Sequence, residues 1–573
     1  MKSAKTILLF FVIISYSCLA VSADGSWRSI LYPEDWSPTY RVNDGYEKYL
    51  QDFSYAGYHK GEKSIPDEIG GVYVDVTAAP FYADNTGKTN TSKAIQAAID
   101  YASLNGGGVV YLPEGTYRVR HDGVTSPIHI KTNNIVLRGA GAGKTFIYND
   151  EPNMRARKTV VEVSNVGANW EKVDSQYWFL RQDVFDGDKA IPLKNTNQLN
   201  VGDWVVLIND WSQDFIDEHN MTGLWYPRSL DINNVRETVI YYRQIESVDT
   251  VNNTITIDVP IRYFLKTRDR ARVYKCPPFI SEVGVENFSI GGAIPNKEGL
   301  GEEDYDTFGT AAYDVHGSSL IKLDSALNSW VRNVSSFSHE ENKVGIYAED
   351  NYHMPSCGIK ILNSRSVTVE NCVMQSPMYQ GGGGNGYLFM VEGNECLLKD
   401  NISIKGRHGI SISRGYCSGS VMLRHRDYNA SNSLDTHTNM SVGNLFDSTR
   451  IYNLPEFKTA INKGGSIEMM YRPYGATGDA IGSLDMQGQT GTMNVIWNTY
   501  GENLPGKVVA SDQYKMGYVI GTSGSSNSIT LTPVQVNNLM RDASPVDHSE
   551  GKGTGETLMP QSLYVDQFEK RLK

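Results

Sequence analysis

The chain has 573 residues and a formal net charge of -12. The acidic balance argues against nucleic acid and against an anionic membrane, since both repel a negative surface. The length implies either several domains or a solenoid, which grows in one dimension and escapes the usual size limit.

In chain order, Lys2 and Lys5 precede an apolar run from Ile7 to Ile14 and then the small residues Val21-Ser-Ala23. That pattern predicts a signal peptide over 1–23 and a secreted (or periplasmic) protein, the apolar run being too short for a membrane span. Of six cysteines, Cys18 falls in this segment, which leaves Cys276, Cys357, Cys372, Cys396 and Cys417. An odd number excludes full internal pairing. Their spacing predicts small apolar residues stacked inside the fold, with a Cys357–Cys372 or Cys396–Cys417 bridge left open. Sequons at Asn90, Asn220 and Asn439 fit an exported glycoprotein.

Residues 24–70 are rich in Trp and Tyr without a period and are expected to wrap an outer face. Then comes Asp75-Val, followed by Thr91-Ser-Lys-Ala-Ile-Gln-Ala-Ala-Ile-Asp100, with Ala94, Ile95, Ala98, Ile99 and Ala102 at helical spacing. Gly106-Gly-Gly-Val-Val-Tyr-Leu-Pro-Glu-Gly-Thr-Tyr117 begins strands. These pieces of 71–157 resemble the opening motif of the pectate-lyase-like superfamily. The resemblance implies a right-handed parallel β-helix that acts on polysaccharides, with the helix capping its open end. It says little about the chemistry, because the fold hosts lyases, hydrolases, epimerases and phage tailspikes.

Residues 158–275 break from this grammar. Gly202-Asp-Trp-Val-Val-Leu-Ile, Thr238-Val-Ile-Tyr-Tyr-Arg-Gln-Ile and Asn252-Asn-Thr-Ile-Thr-Ile-Asp read as antiparallel hairpins, an inserted or broadened β region. Over 276–530 short alternating strands recur around polar turns, as in Ser366-Val-Thr-Val-Glu-Asn-Cys-Val-Met and Cys396-Leu-Leu-Lys-Asp-Asn-Ile-Ser-Ile. One coil of this kind is too thin to bury its own apolar side, so coils must stack. The turn asparagines tolerate left-handed angles and are expected to bond from coil to coil. Residues 531–573 form a tail lying back on the coils. The fold class is therefore all-β, a parallel β-helix with a capping helix and an antiparallel insertion.

The chemistry is sought where an acidic chain turns basic. Between 399 and 426 stand Lys399, Lys405, Arg407, His408, Arg414, Arg424, His425 and Arg426, with Asp400 the one acid between the ends. Lys405/Arg407 and Arg424/Arg426 are each two apart, hence on one strand face, and roughly one coil apart, so stacking is expected to join them into a cationic patch for a polyanionic glycan. The rival reading is a solvated basic face. Arg407-His408-Gly409 and Leu423-Arg424-His425 resemble the Arg-His stretch of β-helical alginate and chondroitin lyases, which implies Lys405 as base and the Arg as acid. The calcium ligands of those enzymes have no clear match, so no cofactor is expected and calcium is left open. Asp435 and His437 share a strand face and suit acid–base work, or a carboxylate orienting an imidazole. The glycine run 381–384 ahead of Tyr387 suits close approach of a sugar, with Tyr387 as a stacking platform.

The expected function is β-elimination on a uronate-containing polysaccharide, with Lys405, Arg407, His408, Arg424, Asp435 and His437 catalytic. Tyr387, Glu392, Lys399, Arg414, His425 and Arg426 are expected to bind substrate. The first alternative is a glycoside hydrolase pairing Asp435 with Glu392 or Asp400, weakened because the adjacent Asp pair of polygalacturonases is missing. The second is a non-catalytic glycan-binding protein. A monomer is expected, with polysaccharide as its partner.

Overall fold

The structure, a computed structural model, describes residues 25–165, 170, 176–223, 225–229, 238–455, 464–472, 488–531 and 545–573. The expected signal peptide lies outside them.

Alternation along each strand decides the architecture. Phe389, Val391, Ile410, Ile412, Leu434, Ile467 and Met469 point into one continuous core. The residues between them, Met390, Ser411, Asp435 and Glu468, are in register from coil to coil and face outward. Every fully buried Val, Leu, Ile or Phe contributes about 1.5–3 kcal/mol relative to exposure, a gain available only once coils stack. The result is a right-handed parallel β-helix with three walls.

The first wall comprises, in order, β1 (Ile128–Ile130), β2 (Thr159–Ser164), β3 (Ser319–Asp324), β4 (Cys357–Glu370, whose last residues turn into the second wall), β5 (Tyr387–Asn394), β6 (His408–Ile412), β7 (Leu434–Thr436) and β8 (Ile467–Met469), all parallel. The second wall includes Leu397–Lys399, Val421–Leu423 and Leu445–Asp447. The third includes Ile402–Ile404, Arg426–Tyr428 and Arg450–Tyr452. In this stretch a coil is 24 residues, and the turns carry the expected Asn contacts: Asn429 Nδ2 donates to Asn453 Oδ1 at 3.1 Å across that interval. Asn444 does the same to Asn494 at 3.0 Å.

Helix α1 (Ser92–Leu104) buries Ile95, Ala98, Ile99 and Ala102 over the first coils and closes that end of the core. The insertion is a six-stranded antiparallel sheet that contains Trp204–Ile208, Ile240–Asp249 and Thr254–Ile257. It docks on the coils through buried charges. Arg243 forms two 2.8 Å bonds to Glu395, Arg262 adds one at 3.2 Å, and Arg365 of β4 pairs with Asp258. Residues 27–58 pack on the outside of the second wall with the C-terminal helix α2 (Leu563–Leu572), where Leu31, Phe53 and Leu563 join Leu397, Val421 and Leu445.

The five cysteines are all free and buried, so neither open bridge forms; Cys372, Cys396 and Cys417 sit in the core as the plainer reading has it. Asn439 is fully buried, which denies that sequon a glycan on the folded protein, whereas Asn90 and Asn220 are exposed. No helix among the described residues is long and apolar enough to cross a membrane.

Candidate active site

On the outer face of the first wall, β5 to β8 bring five side chains together. Asp435 sits mid-strand in β7 and points outward, yet it is wholly buried by its neighbours. Arg472, just past β8, holds Oδ2, and His437 Nδ1 lies 3.2 Å from the same oxygen. His408 Nδ1 lies 3.5 Å from Oδ1. Burial works against the Asp435 charge, but His408, Arg472 and His437 outweigh it and hold the carboxyl well below the usual carboxylate range. This aspartate is ionised at any ordinary pH.

His408 opens β6. Its Nδ1 is 2.6 Å from the Ser433 carbonyl, an acceptor only, so Nδ1 carries the proton. Burial pushes the ring down to about 4 against the pull of Asp435, which leaves it neutral at pH 7. Tyr387, in register with His408 on β5, meets it edge-on at 4.8 Å. The Tyr387 hydroxyl ends 3.1 Å from His437 Nε2. Burial, helped by Asp435, pushes this phenol far above its ordinary value, so it stays protonated and can donate. His437 follows β7 and is fixed by its own N–H to the Ile412 carbonyl at 2.8 Å. His437 Nδ1 lies 3.2 Å from both the Asp435 carboxylate, which can only accept, and Arg472 Nη1, which can only donate, while Nε2 faces the Tyr387 hydroxyl. Tyr387, His408 and Asp435 are closed off, whereas the His437 and Arg472 side chains are 26% and 29% exposed. The reactive face is therefore imidazole and guanidinium, backed by a buried anion and a buried phenol.

Four of the expected residues thus converge: Tyr387, His408, Asp435 and His437. Tyr387 is not a stacking platform, since it is buried with its hydroxyl engaged. The cationic patch does not form. Two-residue spacing gives a strand face but not which wall, and the register puts Ile402 against Arg426 and Lys399 against Leu423. Arg424 therefore stacks over Asp400 at the turn between the second and third walls, bound by two 2.6 Å contacts, and Arg426 is exposed on the third wall. Lys399 lies 3.6 Å from Glu370. His425 points into the solenoid, 2.7 Å from Ser403 Oγ. Lys405 occupies a left-handed turn (φ 55°) ahead of β6. Arg407 is tied outside the cluster to the Gly381 carbonyl and to Glu302 at 2.9 Å. Glu392 accepts from Ser413 at 2.9 Å and Tyr416 at 3.3 Å, with Arg414 at 3.8 Å.

The hydrolase reading loses Asp400, which is ion-paired at a different corner of the coil. The glycine run packs against 302–305 instead of lining an open path: Gly382 N–H donates to the Glu302 carbonyl at 2.8 Å, and at Gly383 (φ 70°) a Cβ would meet Tyr305 at 2.7 Å. Arg472 was invisible in the sequence. The coil between His437 and Arg472 is longer than 24 residues, so counting from His437 does not reach it. Among the described residues no three His, Cys, Asp or Glu side chains converge on a metal-sized space.

Residues 76–215 match a family model described as rhamnogalacturonase A/epimerase, pectate lyase-like. Alginate lyase 7 of Azotobacter vinelandii is 48% identical over 68 residues, 12% of this chain and 8% of that protein. Mannuronan C5-epimerase AlgE6 of the same organism is 44% identical over 75 residues, 13% of this chain and 9% of that protein. The matches thus span under a tenth of either relative. Among solved structures, the tailspike protein gp49 from Pseudomonas phage LKA1 aligns at TM-score 0.44 and 13% identity, over 80% of this chain and 72% of that one. The AlgE6 A-module aligns at TM-score 0.32 and 13% identity, over 85% and 100%.

Proposed function

With a member of the pectate-lyase-like superfamily as the premise, we propose that this protein removes the proton beside the carboxyl group of a uronate in an anionic polysaccharide and completes the reaction by β-elimination. The observation that carries this reading is the Tyr387–His437 hydrogen bond, with Asp435 and Arg472 behind it, on the outer face of the first wall.

Each residue takes a role that its environment prepares. Arg472 turns to the uronate carboxylate the N–H groups left over from its contacts with Asp435 and His437, and neutralising that charge lets the adjacent carbon give up its proton. His437 Nε2 takes that proton. The electrons of the broken C–H bond form the C4–C5 double bond, the C4–O4 bond breaks, and O4 takes the proton back from the exposed His437 Nε2, which restores the imidazole, while the buried Tyr387 hydroxyl holds the ring from behind at 3.1 Å. Asp435 steadies the imidazolium, and His408 braces Asp435 without titrating near neutral pH. Lys405, the base implied by the resemblance, has no part in this scheme. Export, suggested by the pattern of 1–23, suits a polymer substrate and belongs to the same proposal.

The relatives named as epimerases support a second reading, in which the proton returns to the opposite side of the carbon and the chain stays whole. Against it, one exposed imidazole here both takes and returns the proton, which suits removal and delivery on one side. The test follows alginate, polygalacturonate and glycosaminoglycans by the ultraviolet absorbance of the unsaturated uronate, in deuterium oxide. Absorbance with chain cleavage supports elimination. Deuterium at C5 without cleavage selects epimerisation. Neither signal on any polyuronate overturns the proposal.

A further inference from the structure

The arginines that fail to reach the first wall make a site elsewhere. Arg426 and Arg450 are register partners on adjacent coils of the third wall, and both are exposed. Parallel strands hold such pairs about 4.8 Å apart, where like charges repel. Among the described residues neither has a carboxylate at ion-pair distance, and the Arg450 guanidinium instead lies over the Tyr500 ring at 5.4 Å. Beside them runs an aromatic ladder. Tyr428 and Tyr452 stack at 4.9 Å and 10°, and Tyr500 continues 5.7 Å from Tyr452. Arg424, Arg426, Arg450 and Tyr452 border a cleft of about 670 Å³ closed on its far side by α2, within the range of ligand-binding clefts. α2 contributes Asp566 and Glu569, but Asp566 is occupied by the Tyr32 hydroxyl at 2.6 Å and by Lys570 at 3.1 Å.

We propose that this third-wall cleft is a second binding site for a linear anionic polysaccharide, which lies along the solenoid axis with its carboxylates on Arg426 and Arg450 and its rings against the edge of Tyr452 and, beside the cleft, of Tyr428. Unpaired stacked cations supply the charge match, and the edges of the stacked rings, whose faces are taken up by one another, give the chain an apolar rail. Because Asp435 sits on a different wall, the site retains polymer without touching the reacting bond. It rests on the reading of the ligand as an anionic glycan, but not on turnover.

The test is gel retardation of the full chain by alginate, by polygalacturonate and by neutral dextran, with the Arg426→Gln/Arg450→Gln double variant beside it. Retardation by the two polyuronates alone is expected, weakened about tenfold in the variant, while kcat/KM on a short uronate oligosaccharide stays unchanged. Unchanged retardation of the variant overturns the site. So does a parallel loss on the short oligosaccharide, which would assign the arginines to the groove or the fold. Arginine-dependent retention without any product keeps the site and overturns the catalytic proposal; product without such retention does the reverse.

Discussion

Two clusters in this molecule use the same residues at the same spacing to opposite ends. His425 and Asp427 are two apart, as are Asp435 and His437, and both aspartates are fully buried. His425 and Asp427 face the interior, where Ser403 lies between them, 2.7 Å from the ring and bonded to the carboxylate. There burial pushes Asp427 up to about 7 against the Ser403 hydrogen bond and pushes His425 down to about 3. Both are held in their neutral forms below neutral pH. Asp435 faces outward, where Arg472 and two imidazoles reach it, and burial loses. Residue type and spacing are thus silent about chemistry until it is known which side of the wall a strand residue occupies.

The largest effect should come from the outer cluster. His437→Ala should cost about 10²–10⁴ in turnover, and Tyr387→Phe, which loses only the bond holding that ring, should cost less, both read by unsaturated-uronate absorbance with little change in unfolding temperature. The matching interior substitution, His425→Ala, should leave turnover alone. If it matches the loss in His437→Ala, the division between the clusters is wrong.

The next effect is on stability against pH. The folded protein binds a proton at Asp427 up to about pH 7, whereas the unfolded chain releases it near 3.8, so stability falls as pH rises between those values. His425 does the opposite: the unfolded chain is protonated up to about 6.5 and the folded one only below about 3, so stability rises with pH in that span. Between 3.8 and 6.5 the two slopes offset each other. Asp427→Asn should unmask a rising slope on the order of 1.4 kcal/mol per pH unit, measured by denaturant unfolding across pH 4 to 6.5. A flat profile would show that the interior pair does not titrate as its burial implies.

Asp435 has the reverse sign to Asp427. Its folded value is depressed, so its contribution is complete above the ordinary carboxylate range and is lost as pH falls below it. Asp435→Asn should flatten the acid limb of the stability curve and cut turnover, read on the same preparation; an unchanged acid limb would mean that Arg472 and the imidazoles do not hold it ionised. The smallest expected effect is none: if Arg472 meets the substrate carboxylate as proposed, a calcium chelator should leave turnover unchanged, and a chelator-sensitive rate that calcium restores would move that role to a cation.

Much of the scaffold was legible because its signals are local. The helix period of 92–104, the hairpins of the insertion and the in–out alternation of the coils each rest on neighbours in sequence. Asp435 and His437 were legible for the same reason, as alternate residues leaving one strand. The cationic patch was misread because membership of a wall is a long-range property, fixed by pairings such as Ile402 with Arg426. Tyr387 was found but given the wrong task, since neither its burial nor the His437 contact leaves a trace in the chain.

The absence of any bridge among the five buried thiols has a consequence beyond packing. Burial pushes Cys276, Cys372 and Cys396 up to about 12, so almost none of each is present as reactive thiolate at neutral pH. A molecule so built has no cystine for a reductant to open, and its buried thiols offer little for an oxidant to attack. Its unfolding temperature should be the same with and without reductant.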